Sequence, residues 1–442
     1  MSAVTTPPLV AVTGSLRDLP QGLRAQLLDR GTADDADVRK TVGAIITRVR
    51  RGGDTALRAL AAELDGATLE ALEVPRVRWH RAATNLTPAV RDALERAARN
   101  IAEVHRAFLP PASTTVEPEP GVRITRRADP LARVGVYAPG GRAAYPSSVL
   151  MGAVPARVAG VGEVILCSPP SAADGTPSDV VLAAALIAGV DRVFAVGGAG
   201  AVAAMAWGTA SIPRVDRIVG PGNAWVAEAK RQVSGAVGID APAGPSELLV
   251  IADAAADPRR VAIELVAQAE HDPRACALAV TVGQGAAERL LAALADVVGE
   301  CGRADVVRTA LAARGAVLWV DTLGDAVAFA NDYAPEHLLL AVADPATAAR
   351  DVRSSGTVFL GEWTSVAFGD YLTGANHVLP TGGLARSFSG LSVTDFLRWT
   401  TLQEVTPAAA LSLARDVAAL AEAEGLPGHA LAARSAGEAA WA

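Results

Sequence analysis

The sequence predicts an α/β fold of two tandem, incomplete Rossmann-like α/β domains, with a helical N-terminal region and a helical C-terminal tail. Three observations lead to this prediction. Helical patterns fill the first hundred residues, short apolar runs alternate with helical patterns through the centre, and from about Ser392 onward the chain is rich in alanine without a strand pattern. Short strands that alternate with helices are typical of βαβ units and a parallel sheet.

Two amphipathic helices are predicted near the N-terminus. The first ends at Gly52 and Gly53, because glycine commonly follows the last turn of a helix. The second begins with Thr87 as N-cap and Pro88 at the first helical position. Their apolar faces are formed by Val38, Val42, Ile45, Ile46 and Val49 in the first helix, and by Val90, Leu94, Ala97, Ile101 and Val104 in the second. The segment 110–120, rich in Pro, Ser, Thr and Glu, is predicted to be a loop or a strand-turn.

The centre of the chain contains two series of predicted strands. The first series is 133–138, 163–167, 192–196 and 217–219, and the second is 248–251, 277–282, 316–320, 338–342 and 358–360. Helical stretches between them include 180–188, 201–207, 224–233, 258–269 and 286–298. Two α/β units in tandem are the simplest interpretation of this order.

Composition and charge exclude several classes of protein. The 442 residues are 51% hydrophobic, which excludes a disordered chain, and the net charge of −7 without a long basic run argues against a nucleic-acid partner. Cys167, Cys276 and Cys301 form no CxxC spacing, so neither a disulfide framework nor a cysteine zinc site is expected. The longest uncharged run, 193–213, is interrupted by glycines and is therefore not expected to span a membrane. A secretory signal begins with basic residues, and no Lys or Arg precedes Arg17. We therefore expect a cytoplasmic protein without membrane contact.

Four of the six histidines stand in polar settings that suit chemistry, whereas His80 and His105 are expected to have ordinary surface roles. The i, i+3 spacing of one Gln/His pair places two potential metal donors on one helix face. A Glu/His pair follows at a helix-to-strand junction, the sort of edge where open α/β sheets carry their chemistry. These candidates are Gln268 with His271, Glu336 with His337, Asp370 with His377, and Glu424 with His429.

Imidazole and carboxylate donors suit zinc, and an amide oxygen is a less usual but possible ligand. The candidates are spread over more than 150 residues, from Gln268 to His429, so spacing alone does not define a metal site. The alternative is four separate histidines, each satisfied by hydrogen bonds at a helix end or in a loop.

A glycine pattern raises the question of a dinucleotide. Gly198, Gly200 and Ala203 match G-x-G-x-x-A between a predicted strand and a helix. Asp216 has the spacing of a ribose-binding acid but precedes its strand, which is the wrong end. The turns 139–141 and 220–223 also follow predicted strands, so several loops suit a nucleotide cleft, and the alternative for each is a tight turn that needs a positive φ.

Eight short motifs stand in a characteristic order along the chain: Val134–Gly141 (VGVYAPGG), Pro146–Met151 (PSSVLM), Gly220–Asn223 (GPGN), Ala243–Glu247 (AGPSE), Gln268–Asp272 (QAEHD), Asn331–Leu338 (NDYAPEHL), Gly369–Tyr371 (GDY) and Asn376–Pro380 (NHVLP). Taken together, these motifs resemble the histidinol dehydrogenases, over about residues 20 to 435.

The resemblance implies a role for each matching residue. It implies one zinc ion per subunit, with Gln268, His271, Asp370 and His429 as ligands, and Glu336 with His337 as the acid/base pair. The substrate-binding set that it implies is Ser246, Gln268, His271, His337, Asp370, His377, Glu424 and His429, and Ser147 falls in a motif near the same pocket. Tyr137 and Asn223 match NAD contacts, whereas Gly200 replaces a glutamine that the family commonly carries at a nucleotide contact.

The resemblance also implies the reaction and the assembly. L-histidinol would be oxidised through L-histidinal to L-histidine with two NAD⁺, in a homodimer whose active site is shared between chains. A zinc hydrolase and a catalytically silent zinc-binding paralogue are the alternatives. The domains expected are an N-terminal arm (1–30), a first α/β domain (31–136 with 246–390), a second, nucleotide-binding α/β domain (137–245) and a helical dimerisation tail (391–442).

Overall fold

The computed structural model describes residues 8–30, 36–140, 144–241 and 244–438, with side chains to residue 436. Gly141 and Ala243, at the ends of two motifs, lie outside the described residues, as do the extreme ends of the predicted arm and tail and residues 31–35.

Strands and helices alternate through most of the described chain. The strands are β1 (Val12–Ser15), β2 (Ser113–Glu119), β3 (Val122–Pro130), β4 (Arg133–Tyr137), β5 (Glu163–Ser168), β6 (Arg192–Ala195), β7 (Arg217–Val219), β8 (Gly238–Ile239), β9 (Glu247–Ala252), β10 (Cys276–Val282), β11 (Ala316–Val320), β12 (His337–Ala341), β13 (Thr357–Leu360) and β14 (Leu397–Val405). The helices are α1 (Gln21–Leu28), α2 (Ala36–Leu60), α3 (Arg76–Asn85), α4 (Pro88–Ala107), α5 (Pro146–Ala159), α6 (Asp179–Ile187), α7 (Gly198–Trp207), α8 (Ala224–Val233), α9 (Pro258–Ala269), α10 (Gln284–Glu300), α11 (Ala304–Arg314), α12 (Leu323–Tyr333), α13 (Pro345–Ala349), α14 (Val366–Tyr371), α15 (Pro407–Ala423) and α16 (Pro427–Glu438).

A six-stranded parallel sheet has the order β1-β11-β10-β9-β12-β13. Its central strand β9 is buried on both faces, because its side chains alternate between two apolar clusters. Leu248 and Val250 pack on one face with α9, α10 and α11, while Leu249 and Ile251 pack on the other with α12. A strand buried on both faces has the near-continuous apolar sequence from which it was predicted.

A second parallel sheet has five strands in the order β6-β5-β4-β7-β8. It shares one apolar cluster with helices α2 to α8. Two parallel sheets with helices confirm the predicted α/β class, and the predicted Thr87 N-cap is present, since its hydroxyl accepts a hydrogen bond from the N–H of Val90. The predicted end of the first helix is present as a break at Gly53, with φ of 51°, after which helical backbone resumes to Leu60.

A third, three-stranded antiparallel sheet, β14-β3-β2, corrects the expectation that the chain is helical from Ser392 onward. The strand β14 is almost entirely exposed, and its partners β2 and β3 are little buried. The strand escapes prediction because main-chain pairing with β3, rather than an apolar face, defines it. The last two helices, α15 and α16, form the predicted helical end of the tail.

The distribution of the cores differs from the expected domain boundaries. The helical segment 36–107 and strand β4, assigned by sequence to the first α/β domain, pack in the core of the five-stranded sheet. The physical reason is that α2 and α4 place their apolar faces against that sheet's helices. We propose that these residues, with Leu372 and Val378 after α14, belong with the five-stranded unit, and that β1, α1 and the elements from β9 to α14 form the six-stranded unit.

His105 is a second correction, because it is a core residue and not a surface one. Its side chain is 2% exposed, and Nδ1 accepts a hydrogen bond from the N–H of Val393 at 3.2 Å. Burial lowers the pKa of His105 to about 4, so the imidazole is neutral. His80, in contrast, is exposed as expected.

The uncharged run 193–213 folds as part of β6 and helix α7. Among the described helices, none combines the length and the apolar composition that a membrane crossing needs.

A close contact between α5 and β4 provides a test of this packing. A Cβ added at Gly152 would lie 2.7 Å from Cγ1 of Val136, a stiff side chain in a buried strand, so we expect Gly152→Ala to destabilise the protein. The expected loss is about 1–3 kcal/mol in urea unfolding, as for other overpacked cores. Gly299→Ala is the control, since nothing lies within 4 Å of its added Cβ, and alanine should leave stability unchanged or raise it. Equal effects of the two substitutions would contradict the packing.

Candidate active site

The candidate catalytic pair lies where β12 begins. Glu336 precedes the strand and His337 is its first residue, and both are at most 6% exposed. Next to them, in the same sheet, Glu247 is the first residue of β9. The site is therefore at the amino edge of the six-stranded sheet, whereas open parallel sheets usually carry their ligands at the carboxyl edge. The helix-to-strand junction was predicted, but this choice of edge departs from the general rule on which the prediction rested.

The imidazole of His337 has a fixed tautomer. Nδ1 lies 3.0 Å from the main-chain oxygen of Glu247, and since a carbonyl can only accept, Nδ1 carries the proton. Nε2 is then an unprotonated acceptor. It is buried without a hydrogen-bond partner among the described residues, and it lies 3.7 Å from Oδ1 of Asp370. Burial lowers the pKa of His337 to about 4, so the ring is a neutral base.

The Glu336 carboxyl group binds the other main-chain group of Glu247. Its Oε2 accepts a hydrogen bond from the Glu247 N–H at 2.7 Å and lies 3.6 Å from Nδ1 of His337. Burial raises the pKa of Glu336 well above its usual value, and the neighbouring carboxylates of Glu247 and Asp370 act in the same direction. A carboxylate with a raised pKa is a stronger base than an exposed one.

His377 presents a second neutral imidazole to the same region. Its Nδ1 donates to the main-chain oxygen of Asp370 at 2.9 Å, which leaves Nε2 as an acceptor 3.5 Å from the hydroxyl of Ser148. Burial lowers the pKa of His377 to about 4 and raises that of the Asp370 carboxyl to about 7, to which the nearby Glu264 contributes.

Gln268 and His271 stand at the end of α9, which Asp257 caps through a hydrogen bond from the N–H of Arg259. Gln268 is 4% exposed and its Nε2 is buried without a hydrogen-bond partner among the described residues. His271 is exposed, and partial desolvation of its imidazole lowers its pKa. Ser246, half-buried, lies directly before β9.

Glu424 and His429 are both exposed, on the hairpin formed by α15 and α16. The two helices pack on each other through a small cluster of Ala418, Ala421 and Ala430. Within the described part of the chain, no hydrogen bond or ion pair joins either residue to the other candidates, and no group of three or more His, Cys, Asp or Glu side chains is arranged to hold a metal ion.

The candidate cofactor residues line the carboxyl edge of the five-stranded sheet. Tyr137 ends β4 and is 3% exposed; its hydroxyl accepts a hydrogen bond from the N–H of Gly198, and burial raises its pKa to about 12. Asn223 is exposed and caps α8, with Oδ1 accepting from the N–H groups of Trp225 and Val226 at 3.1 and 3.2 Å. The amide nitrogen of Asn223 is therefore the end left for a ligand.

A buried ion pair, Lys230 with Asp240, holds the turn that contains Asn223, and the sequence did not predict it. Lys230 donates to the oxygen of Gly220 at 2.9 Å and pairs with Asp240, which accepts from the Gly220 N–H at 2.7 Å. Gly220 is required here, because a Cβ would lie 2.1 Å from the main-chain oxygen of Tyr137. No sequence signal marks Lys230 as buried, since lysine is usually exposed.

Gly200 lies in the first turn of α7 and is buried, and a Cβ there would lie 3.4 Å from both Leu57 and Leu60 of α2. Asp216 has a structural role: its carboxylate accepts a hydrogen bond from the N–H of Arg133 at 2.9 Å. That contact agrees with its rejection as a ribose-binding acid.

Sequence reasoning missed Glu247, Arg30 and Ser148 as residues of the site. Glu247 and Ser148 stand inside recognised motifs, AGPSE and PSSVLM, so the motifs were the available signal. Arg30 lies outside every motif, and only its contact with Glu247 reveals it.

Comparison with known proteins gives a consistent result. The family model described as histidinol dehydrogenase matches residues 28–436. A histidinol dehydrogenase from Halobacterium salinarum is 47% identical over 417 residues, 94% of this chain and 97% of that protein. One from Methanosarcina barkeri is 42% identical over 420 residues, 95% of this chain and 96% of that protein. The crystal structure of histidinol dehydrogenase from Elizabethkingia anophelis superposes with a TM-score of 0.93 at 31% identity, covering 99% of this chain and 100% of that one.

Proposed function

This chain belongs to the histidinol dehydrogenase family of oxidoreductases, and we propose that it oxidises L-histidinol to L-histidine through L-histidinal, with two NAD⁺ and one zinc ion per subunit. The observation that carries the proposal is the pair of opposite hydrogen bonds at Glu247. Its C=O fixes His337 as a base with a free Nε2, and its N–H binds the Glu336 carboxyl group.

Removal of the hydroxyl proton is the task that we assign to His337 in the first oxidation. A neutral imidazole with an unprotonated Nε2 accepts the proton of the alcohol while hydride leaves the carbon. Burial of the ring keeps it neutral at physiological pH. His337 returns this proton to solvent between the two oxidations.

Glu336 has the corresponding task in the second oxidation. Water must add to the aldehyde before another hydride leaves, and Glu336 orients and deprotonates that water. One of its oxygens is engaged by the Glu247 N–H, so the other is available to the water. The two residues are adjacent, and each can serve the same reacting carbon.

The donor set fits a zinc ion, with Gln268, His271 and Asp370 from one chain and His429 from a partner chain as the ligands. The observation in favour is the Asp370 carboxyl group, whose pKa is raised by burial and by the nearby Glu264 carboxylate, so that a bound cation would stabilise its charged form. The chemistry that zinc supplies there is to bind the amine and imidazole nitrogens of the substrate. Ser246, His377 and Glu424 complete the proposed substrate contacts.

NAD, when bound, would accept the hydride. We assign contacts with it to the Asn223 amide nitrogen and the Tyr137 hydroxyl. These residues follow β7 and end β4 at the carboxyl edge of the five-stranded sheet, which is where parallel sheets commonly bind nucleotides. Gly200 provides no side chain for the contact that the family commonly makes at this position.

The position of the tail supports a homodimer with shared active sites, which is part of the proposal. The hairpin has only a small core of its own and exposes Leu420, Leu426 and Leu431, while it carries Glu424 and His429. Packing of this hairpin across a two-fold axis would cover the leucines and complete the site of the partner. A cytoplasmic location is also part of the proposal, supported by three cysteines that are free in the described structure.

The proposed reaction predicts that two NADH form for each L-histidinol consumed, which the absorbance of NADH measures.

Removal of the metal is a second test. Prolonged chelation should abolish turnover and added Zn²⁺ should restore it, with the metal content of each sample measured in parallel. Full activity in a preparation shown to be metal-free would remove zinc from the proposal. Absence of NADH from the zinc-loaded enzyme would favour the hydrolase or the silent paralogue.

Separate substitutions should divide the half-reactions. His337→Asn preserves a donor for the Glu247 carbonyl but removes the base, so we expect oxidation of L-histidinol to slow by about 10²–10⁴-fold. Glu336→Gln preserves an acceptor for the Glu247 N–H but loses water activation, so oxidation of added L-histidinal should suffer more. Equal losses in both variants with both substrates would contradict the division of roles.

Mixing of inactive variants tests the shared site. His429→Ala chains are combined with His337→Ala chains under conditions that exchange subunits. Each heterodimer would then contain one intact site of two, so activity should approach about half of the wild-type value per heterodimer. If mass analysis confirms exchange and no activity returns, each chain completes its own site.

A further inference from the structure

We propose that the buried ion pair between Arg30 and Glu247 is a positioning device that sets the geometry of His337 and Glu336. This inference rests on the proposed function for its kinetic consequences. The hydrogen bonds to the Glu336 and His337 side chains come from the Glu247 main chain, so Arg30 and the Glu247 side chain are positioning and not catalytic groups. The Glu247 carboxylate also raises the pKa of Glu336, so the readout of positioning is the His337 signal described below together with kcat.

The pair is a two-point interaction removed from solvent. Nε of Arg30 donates to Oε1 of Glu247 at 2.9 Å, and Nη2 donates to Oε2 at 3.1 Å. The side chains are 4% and 2% exposed. The guanidinium also stacks on the ring of Tyr333, 3.3 Å from its centroid. Such a planar, bidentate contact fixes orientation as well as distance.

Arg30 connects the two segments from which the catalytic pair and its partner come. Besides Glu247 at the start of β9, its Nη2 donates to the main-chain oxygen of Tyr333 at 2.7 Å. Tyr333 ends α12, three residues before Glu336. The same guanidinium therefore sets the separation between the Glu247 peptide groups and the turn that delivers Glu336 and His337.

The Glu247 carboxylate extends the connection to a third segment. Its Oε1 also accepts a hydrogen bond from the N–H of Gly382 at 2.9 Å, in the loop that carries His377. The Glu247 carboxylate thus pairs with Arg30 and restrains the loop that carries His377. The main chain of Glu247 binds Glu336 and His337.

Stability alone does not account for the pair. A buried ion pair is often no more stabilising than apolar side chains of the same volume, because both charges lose their hydration. Apolar side chains could fill the same volume, but they would not reproduce the directed hydrogen bonds by which the Arg30–Glu247 pair joins three segments of the site. Removal of both charges should therefore preserve the fold and loosen the site.

The experiment compares two matched double variants of the holoenzyme. The first is Arg30→Met with Glu247→Leu. The control is Arg192→Met with Glu73→Leu, because Arg192 makes the same set of contacts away from the catalytic pair: two bonds to Glu73 at 3.0 and 2.6 Å, one to the Ser211 oxygen at 3.0 Å, and stacking over Phe194. The control pair is matched in contacts and not in burial, since its side chains are 32% and 43% exposed. Thermal unfolding and circular dichroism verify that both fold.

The expected result is a fall in kcat for L-histidinol of about tenfold or more in the first variant, since small misplacements of reacting groups are costly. The KM for NAD⁺ should stay within about twofold, and the control should stay within about twofold in kcat. A folded first variant with a kcat equal to that of the control would overturn the proposal.

A second readout needs no substrate. With isotope-labelled histidine, nitrogen NMR distinguishes the tautomers of the six imidazoles, and the His337→Asn spectrum assigns the His337 signals. We expect the Nδ1–H form of His337 in the wild type, and shifted signals in the first variant but not in the control. Unchanged His337 signals in a folded variant would contradict positioning, even if the wild type yielded no NADH and the proposed function itself failed.

Arg30→Lys decides the case if the first double variant does not fold. Lysine preserves the positive charge opposite Glu247 but not the planar, two-point contact of the guanidinium. The protein should therefore fold, with a kcat below the wild-type value by less than the roughly tenfold loss expected for the first double variant. Shifted His337 signals with reduced kcat would support the proposal, and wild-type values of both would overturn it.

Discussion

The main chain of Glu247 is the constraint on which the candidate active site depends. Its two polar groups bind the two candidate catalytic side chains, in one case as donor and in the other as acceptor. Since β9 pairs with β10 on one side and β12 on the other, this peptide cannot move without the sheet. The site therefore takes its rigidity from the most buried strand of the fold, and the tautomer of His337 follows from a carbonyl that can only accept.

A loop joins this amino edge to the carboxyl edge of the other sheet. Asn376 donates to the main-chain oxygen of Met151 in α5 at 2.8 Å, His377 lies beside Ser148 of the same helix, and Gly382 donates to Glu247. The helix α5 follows β4, so the loop connects the proposed cofactor edge with the catalytic pair. Opposite edges of two parallel sheets thus contribute to one region, which a single sheet following the usual carboxyl-edge rule would not produce.

The α15–α16 hairpin is the part of the chain least explained by its own packing. A pair of helices gains most of its stability from tertiary burial, yet the hairpin buries little more than alanines and exposes several leucines. Its exposed apolar surface and its Glu424 and His429 are accounted for together if a second copy covers it. The exposed leucines of the hairpin and the separation of Glu424 and His429 from the other candidate residues would then both be explained by packing against a second copy.

The sequence by itself determined the strands and helices whose apolar periodicity is strong, such as β9, α4 and α9, because burial on one or both faces requires that pattern. Its motifs also identified the family and the candidate residues. It did not determine β14, which is defined by main-chain pairing, nor the burial of His105 and Lys230, whose residue types are usually exposed. Only the tertiary structure brought Arg30 to Glu247, 217 positions apart, because a contact between such distant residues is fixed by the packing of whole elements and leaves no local pattern in either segment.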